Sequence, residues 1–233
     1  MFEPAEPSHR VQLTPCVSTG YAGFVPQHIP VTVVDYGGGN IRSVVRALTH
    51  AGGAVRVSAD PSVVAASDRV VLPGQGAFSE CMQHLTTRGL SDVLMAHIAA
   101  DRPFLGICLG LQILFEESEE QGLHKGLGIF PGRVVRFEST PARKVPHMGW
   151  NTVHPAGAVA VMEGLPAESW FYFVHSYYVD APTLDGNSSV DCARTEYGVS
   201  FLAAVARGNV FACQFHPEKS QQNGLHILER FVQ

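Results

Sequence analysis

The sequence predicts an α/β fold, doubly wound, with a central mostly parallel sheet flanked by helices. From Pro30 to about residue 120, short β-branched runs alternate with segments whose apolar residues recur at helical spacing. That alternation is the pattern of strands joined by crossover helices. The chain has 233 residues, 45% of them hydrophobic and only 16% charged. It can therefore bury a sizeable core on both faces of one sheet, and disorder is excluded.

The elements follow in order. Residues 31–35, Val-Thr-Val-Val-Asp, read as a buried strand. The loop Gly37-Gly38-Gly39-Asn40 leads to a helix built on Ile41, Val44, Val45 and Leu48 and ended by Gly52-Gly53. Residues 54–58 and 70–72 are the second and third strands, the latter stopped by Pro73. A helix fits 91–100, a fourth strand fits 104–107, and a helix is expected from 109 to about 119. After Gly122 the chain turns strand-rich, at 134–137, 170–174, 177–179, 201–205 and 210–215, and a closing helix begins near Ser220. No linker separates the two halves, so 31–233 is read as one domain. Residues 1–30 carry Pro4, Pro7, Pro15 and Pro26 without any period and are read as a loose N-terminal extension. They lack the basic start and apolar stretch of a secretory signal.

Composition excludes several functions. A net charge of −5 offers no broad basic surface to nucleic acid or anionic lipid. No apolar run approaches the roughly 18 residues of a membrane span. The five cysteines (Cys16, Cys81, Cys108, Cys192 and Cys213) show no CxxC spacing, which argues against a disulfide scaffold or zinc ribbon and for a reducing cytoplasm. The histidines lack metal-ligand spacing, so neither metal nor cofactor is expected.

Chemistry concentrates in three segments. Gly106-Ile107-Cys108-Leu109-Gly110, where a strand meets a helix, has the form of a nucleophile elbow. The helix start favours a thiolate at Cys108, and the Leu109 N–H is placed to donate to an oxyanion. Gln214-Phe215-His216-Pro217-Glu218 supplies a base at a strand end, with a carboxylate two residues on to orient it. Pro73-Gly74-Gln75-Gly76-Ala77-Phe78 follows the third strand, where glycines let backbone N–H groups approach a ligand closely.

These residues resemble the class I, or triad, glutamine amidotransferases, which have a flavodoxin-like fold. With Asp35 to Val44, Pro146-His147-Met148-Gly149-Trp150-Asn151, Tyr172 to Tyr178 and Phe215 to Ser220 added, they are similar to the family of glutaminase subunits of imidazole glycerol phosphate synthase. The resemblance covers roughly 31–233. It implies that glutamine is hydrolysed to glutamate and ammonia, with Cys108 as nucleophile, His216 as base and Glu218 as orienter. It implies that the ammonia passes to a (β/α)8-barrel cyclase subunit, which forms imidazole glycerol phosphate and aminoimidazole carboxamide ribotide in histidine biosynthesis. It places Gly74 and Gly76 in the oxyanion loop, Gln112, Glu120, Ser176 and Tyr177 around the substrate, and Trp150, Asn151 and Lys219 on the face that meets the cyclase. Gln75 stands where the family usually has Val, and Gly38 where it commonly has Met. Three alternatives stay open: a glutaminase serving another synthase, a free-standing cysteine hydrolase of γ-glutamyl substrates, and a non-catalytic module on the same fold.

Overall fold

The computed structural model describes residues 29–233 except Gly39, Ala142, 156–158, 185–186 and 188, so Cys16 and nearly all of the N-terminal extension lie outside the described residues. The first half alternates as expected: β1 (Ile29–Val34), α1 (Ile41–His50), β2 (Gly53–Ser58), α2 (Pro61–Ala65), β3 (Val70–Leu72), α3 (Phe78–Thr87), α4 (Leu90–Ala99) and β4 (Phe104–Ile107). A one-turn helix, α5 (Leu109–Gln112), is followed by β5 (Phe115–Ser118), β6 (His124–Lys125) and β7 (Phe130–Arg136). Then come β8 (His147–Pro155), β9 (Ser169–His175), β10 (Tyr177–Asp180), β11 (Asp191–Glu196), β12 (Ser200–Arg207), β13 (Val210–Cys213) and α6 (Gln221–Val232).

The main sheet has the order β2-β1-β3-β4-β13-β12-β11-β8-β9. Its first five strands are parallel, and from β12 onward the pairings are antiparallel. The three inner parallel strands, β3, β4 and β13, are buried and free of polar side chains throughout because both of their faces are covered. Val70, Leu72, Phe104, Val210 and Ala212 enter the core on one side, whereas Val71, Leu105, Ile107, Phe211 and Cys213 enter the core on the other. The period of two therefore feeds two cores from one run of residues. A smaller sheet, β10-β7-β5-β6, lies beside them.

Two features depart from the sequence reading. The helix expected from 109 to about 119 stops at Gln112, and the chain continues as β5. Ile113, Leu114 and Phe115 are all fully buried, an all-round burial that a surface helix cannot provide. Their carbonyls accept instead from Leu127, Ile129 and Gly128 N–H groups, which draws the segment into the smaller sheet. Helices α2 and α3, strands β8 and β11, and the smaller sheet itself were not read from the sequence. The loops that matter for chemistry leave the carboxyl ends of β1, β3, β4 and β13, the edge where parallel α/β sheets place their sites.

Candidate active site

Cys108 sits between β4 and α5 with φ 55° and ψ −106°, a strained left-handed backbone for a residue with a β-carbon. The strain is held by its surroundings. Its N–H donates to the Cys213 carbonyl at 2.7 Å, and its own carbonyl accepts from Leu111 at 2.9 Å. Glycine is required on either side of the elbow. A β-carbon on Gly106 would lie 2.6 Å from the Gly110 carbonyl oxygen, and one on Gly110 would collide with the Leu72 carbonyl. The sulfur side is buried, leaving Cys108 7% exposed.

His216 follows β13 and is fixed through its backbone. Its N–H donates to the Tyr172 carbonyl at 2.9 Å, and its carbonyl accepts from the Ser220 hydroxyl at 2.7 Å. Glu218 Oε1 stands 2.9 Å from His216 Nδ1, with both side chains almost wholly buried. Nε2 makes no hydrogen bond among the described residues and is the ring nitrogen left for a reacting group. Burial alone would push the imidazole down. The Cys108 sulfur and then the Glu218 carboxylate outweigh it, so the pKa of His216 is raised to about 10. The geometry thus favours a charged imidazolium beside the Cys108 sulfur.

The Pro73 to Phe78 loop lies against the elbow: a β-carbon on Gly74 would come 2.5 Å from the Gly110 nitrogen. Gly76 has φ +102° and faces open space. The Tyr36 hydroxyl accepts from the Gln75 N–H at 3.1 Å and lies 3.2 Å from the Gln75 carbonyl, so it grips this peptide on both sides. Gly38 and Gln75 meet here. A β-carbon on Gly38 would be 2.8 Å from the Tyr36 ring and 3.5 Å from the Gln75 carbonyl, so Gly38 leaves room for the tyrosine to hold the loop.

Glu120 reaches the same loop from the turn after β5, where Oε2 accepts from the Phe78 N–H at 2.7 Å. Gln112 is buried, and its Nε2 donates to the Tyr177 carbonyl and to Gln214 Oε1, both at 3.0 Å. The Ser176 carbonyl accepts from the Phe137 N–H at 3.0 Å. The sequence reading missed Gln214. This fully buried side chain places Nε2 3.5 Å from the Cys108 sulfur. Its only signal was a glutamine inside an otherwise apolar strand end.

Of the three residues expected at a partner face, two share one surface. Met148, Trp150 and Trp170 are exposed by 62%, 42% and 51%, and Trp150 pairs across the strands with Tyr172. Lys219 Nζ lies 5.8 Å from the Tyr172 ring centre. Asn151 points to the opposite face, where its Nδ2 donates to the Glu196 carbonyl at 2.8 Å. A groove of about 1000 Å³ between α1 and α6 touches the triad only at Glu218.

Comparison with known proteins bears on this arrangement. The glutamine amidotransferase class-I family matches residues 32–233. The imidazole glycerol phosphate synthase subunit HisH of Syntrophotalea carbinolica is 51% identical over 206 residues, covering 86% of this chain and 98% of that protein. The HisH subunit of Methylococcus capsulatus is 53% identical over 212 residues, covering 87% and 95%. Among solved structures, PurLQS of Thermotoga maritima shares the fold at 17% identity, with a TM-score of 0.65 over 88% of this chain and 98% of that one. A Cys108–His216–Glu218 array at the carboxyl edge of a doubly wound sheet, with about half of the aligned residues shared with these subunits, makes the chain a member of the class I glutamine amidotransferases and, within them, of the HisH family.

Proposed function

We propose that this chain is the cytoplasmic glutaminase subunit of an imidazole glycerol phosphate synthase. Cys108, His216 and Glu218 are its catalytic triad, and the buried His216–Glu218 contact of 2.9 Å beside the Cys108 elbow is the observation that carries the reading. The Cys108 thiolate attacks the side-chain amide carbon of glutamine, forming a C–S bond and an oxyanion. N–H groups of Leu109 and of the Gly74–Gly76 loop stabilise that oxyanion, each such donor being worth about 10²–10³ in rate. Collapse breaks the C–N bond as His216 protonates the leaving ammonia. His216 then takes a proton from water, which attacks the thioester and releases glutamate and the thiolate. Gln112, Glu120, Ser176 and Tyr177 shape the substrate pocket, Gln112 and Glu120 through the contacts given above.

The ammonia passes to a (β/α)8-barrel cyclase subunit that forms imidazole glycerol phosphate and aminoimidazole carboxamide ribotide. The apolar outer face at Trp150, together with Lys219, fits the docking side of such a partner. Cys108→Ala tests the reading. Glutamine-dependent synthesis by the assembled enzyme is expected to vanish while synthesis from added ammonium salt persists. Retained glutaminase activity would refute the assignment of Cys108.

A further inference from the structure

We propose that His147 and His175 are positioning residues in a hydrogen-bonded relay that ties Asn151 on β8 to the Cys108 sulfur, so that a partner seated on β8 and β9 is felt at the nucleophile. The proposal rests on the reading of Cys108 as nucleophile and of the β8–β9 face as the partner's.

The relay is continuous. Asn151 is oriented by two independent contacts: Oδ1 accepts from the Thr152 N–H at 2.9 Å, and Nδ2 donates to the Glu196 carbonyl at 2.8 Å. Nδ2 is therefore also what faces His147 Nε2, at 3.3 Å. A nitrogen that accepts leaves the ring proton on the other one, so His147 donates from Nδ1 to His175 Nε2 at 3.0 Å. The same logic puts the His175 proton on Nδ1, which donates to the Tyr177 carbonyl at 2.7 Å. A carbonyl can only accept, so the two ends demand the same pair of tautomers. The Tyr177 carbonyl also accepts from Gln112, Gln112 donates to Gln214, and Gln214 reaches the sulfur at 3.5 Å.

Both imidazoles are buried. Burial pushes His147 down to about 4 and His175 down to about 3, so they stay neutral and keep one donor and one acceptor each. Only one polarity of this chain is satisfied. Reversing it would set a His175 lone pair against the Tyr177 carbonyl, leaving an unmade hydrogen bond in a dry site. A chain with one satisfied polarity fixes Asn151, both rings and the Tyr177 carbonyl relative to one another, so a displacement at one end costs hydrogen bonds at the other.

The position of the relay suits it to sense a partner. His147 and His175 are direct cross-strand neighbours on β8 and β9, and their strands alternate faces. The exposed Met148, Trp150 and Trp170 occupy the outer face of the same two strands. A protein bound there bears on the backbone that carries Asn151 and both imidazoles.

Two measurements test the relay. In the full chain by itself, the rate of Cys108 alkylation by iodoacetamide is followed for Asn151→Ala, Gln214→Leu and the double variant. The two sites are expected to be coupled by about five-fold or more, and effects that simply multiply would overturn the proposal. With the barrel subunit added, His147→Phe keeps the ring stacks on Tyr197 at 4.0 Å and Phe173 at 4.9 Å but cannot relay a hydrogen bond. Its partner-induced rise in glutaminase kcat is expected to be at least about five-fold smaller than that of the wild type. Full stimulation would overturn the proposal. Should that variant not fold, Asn151→Ala, whose side chain is half-buried, carries the same comparison. A wild-type chain unmoved by the partner counts against the subunit reading instead, and the alkylation cycle still decides the relay.

Discussion

At the scale of single residues, His216 concentrates the electrostatics of the site. Burial pushes its pKa down, yet it is raised to about 10 because the Cys108 sulfur and the Glu218 carboxylate stand on either side of the ring. Replacing Glu218 by Gln removes one of them. The imidazole resonance in NMR is then expected to titrate at a lower pH, and glutaminase turnover to fall by about 10²–10⁴, the range of a general acid–base contribution. The sign for stability follows from the raised pKa. The unfolded imidazole titrates near ~6.5, so its stabilisation is complete below that pH and is lost as pH rises through about 10. Thermal melts of Glu218→Gln should therefore lose part of the alkaline decline seen in the wild type. Cys108, His216 and Glu218 were legible in the sequence because each sits in a short motif with its neighbours. Gln214 was not, since only folding brings a residue 106 positions away to the sulfur.

At the scale of elements, the elbow depends on backbones touching. The β4–α5 turn passes under the Pro73 to Phe78 loop with no room for a side chain at Gly106, Gly74 or Gly110. Gly110→Ala is expected to cost about 1–3 kcal/mol, as overpacking of a filled core does. It should also displace Cys108, so that both the melting temperature and the glutaminase rate fall. A chain that melts and turns over like the wild type would remove the steric argument. The strand and loop preceding Cys108 were readable because buried parallel strands are uniformly apolar. The end of α5 was not readable. A run such as Ile113-Leu114-Phe115 suits a helix or a strand equally until a neighbour, here the segment 127–130 that leads into β7, claims its hydrogen bonds.

At the scale of the whole molecule, the two cores cover both faces of the parallel half of the sheet, and the antiparallel half presents apolar side chains outward. Trp150 and Trp170 on that surface are largely free of the core. Trp150→Ala together with Trp170→Ala is expected to weaken binding of the proposed barrel partner at least about ten-fold, in keeping with tryptophan anchors at interfaces. Unfolding of the isolated chain should hardly change. Titration of the double variant with the cyclase subunit checks this, and wild-type affinity would exclude the face. By itself the sequence determined the alternation of strands and helices, the elbow and the three residues proposed as nucleophile, base and orienter, because those signals are local in the chain. Tertiary structure alone decided that α5 yields to β5, that Asn151 turns away from Trp150, and that two buried histidines join β8 to Cys108. Such features rest on hydrogen bonds and burial between segments far apart in sequence, which no local pattern encodes.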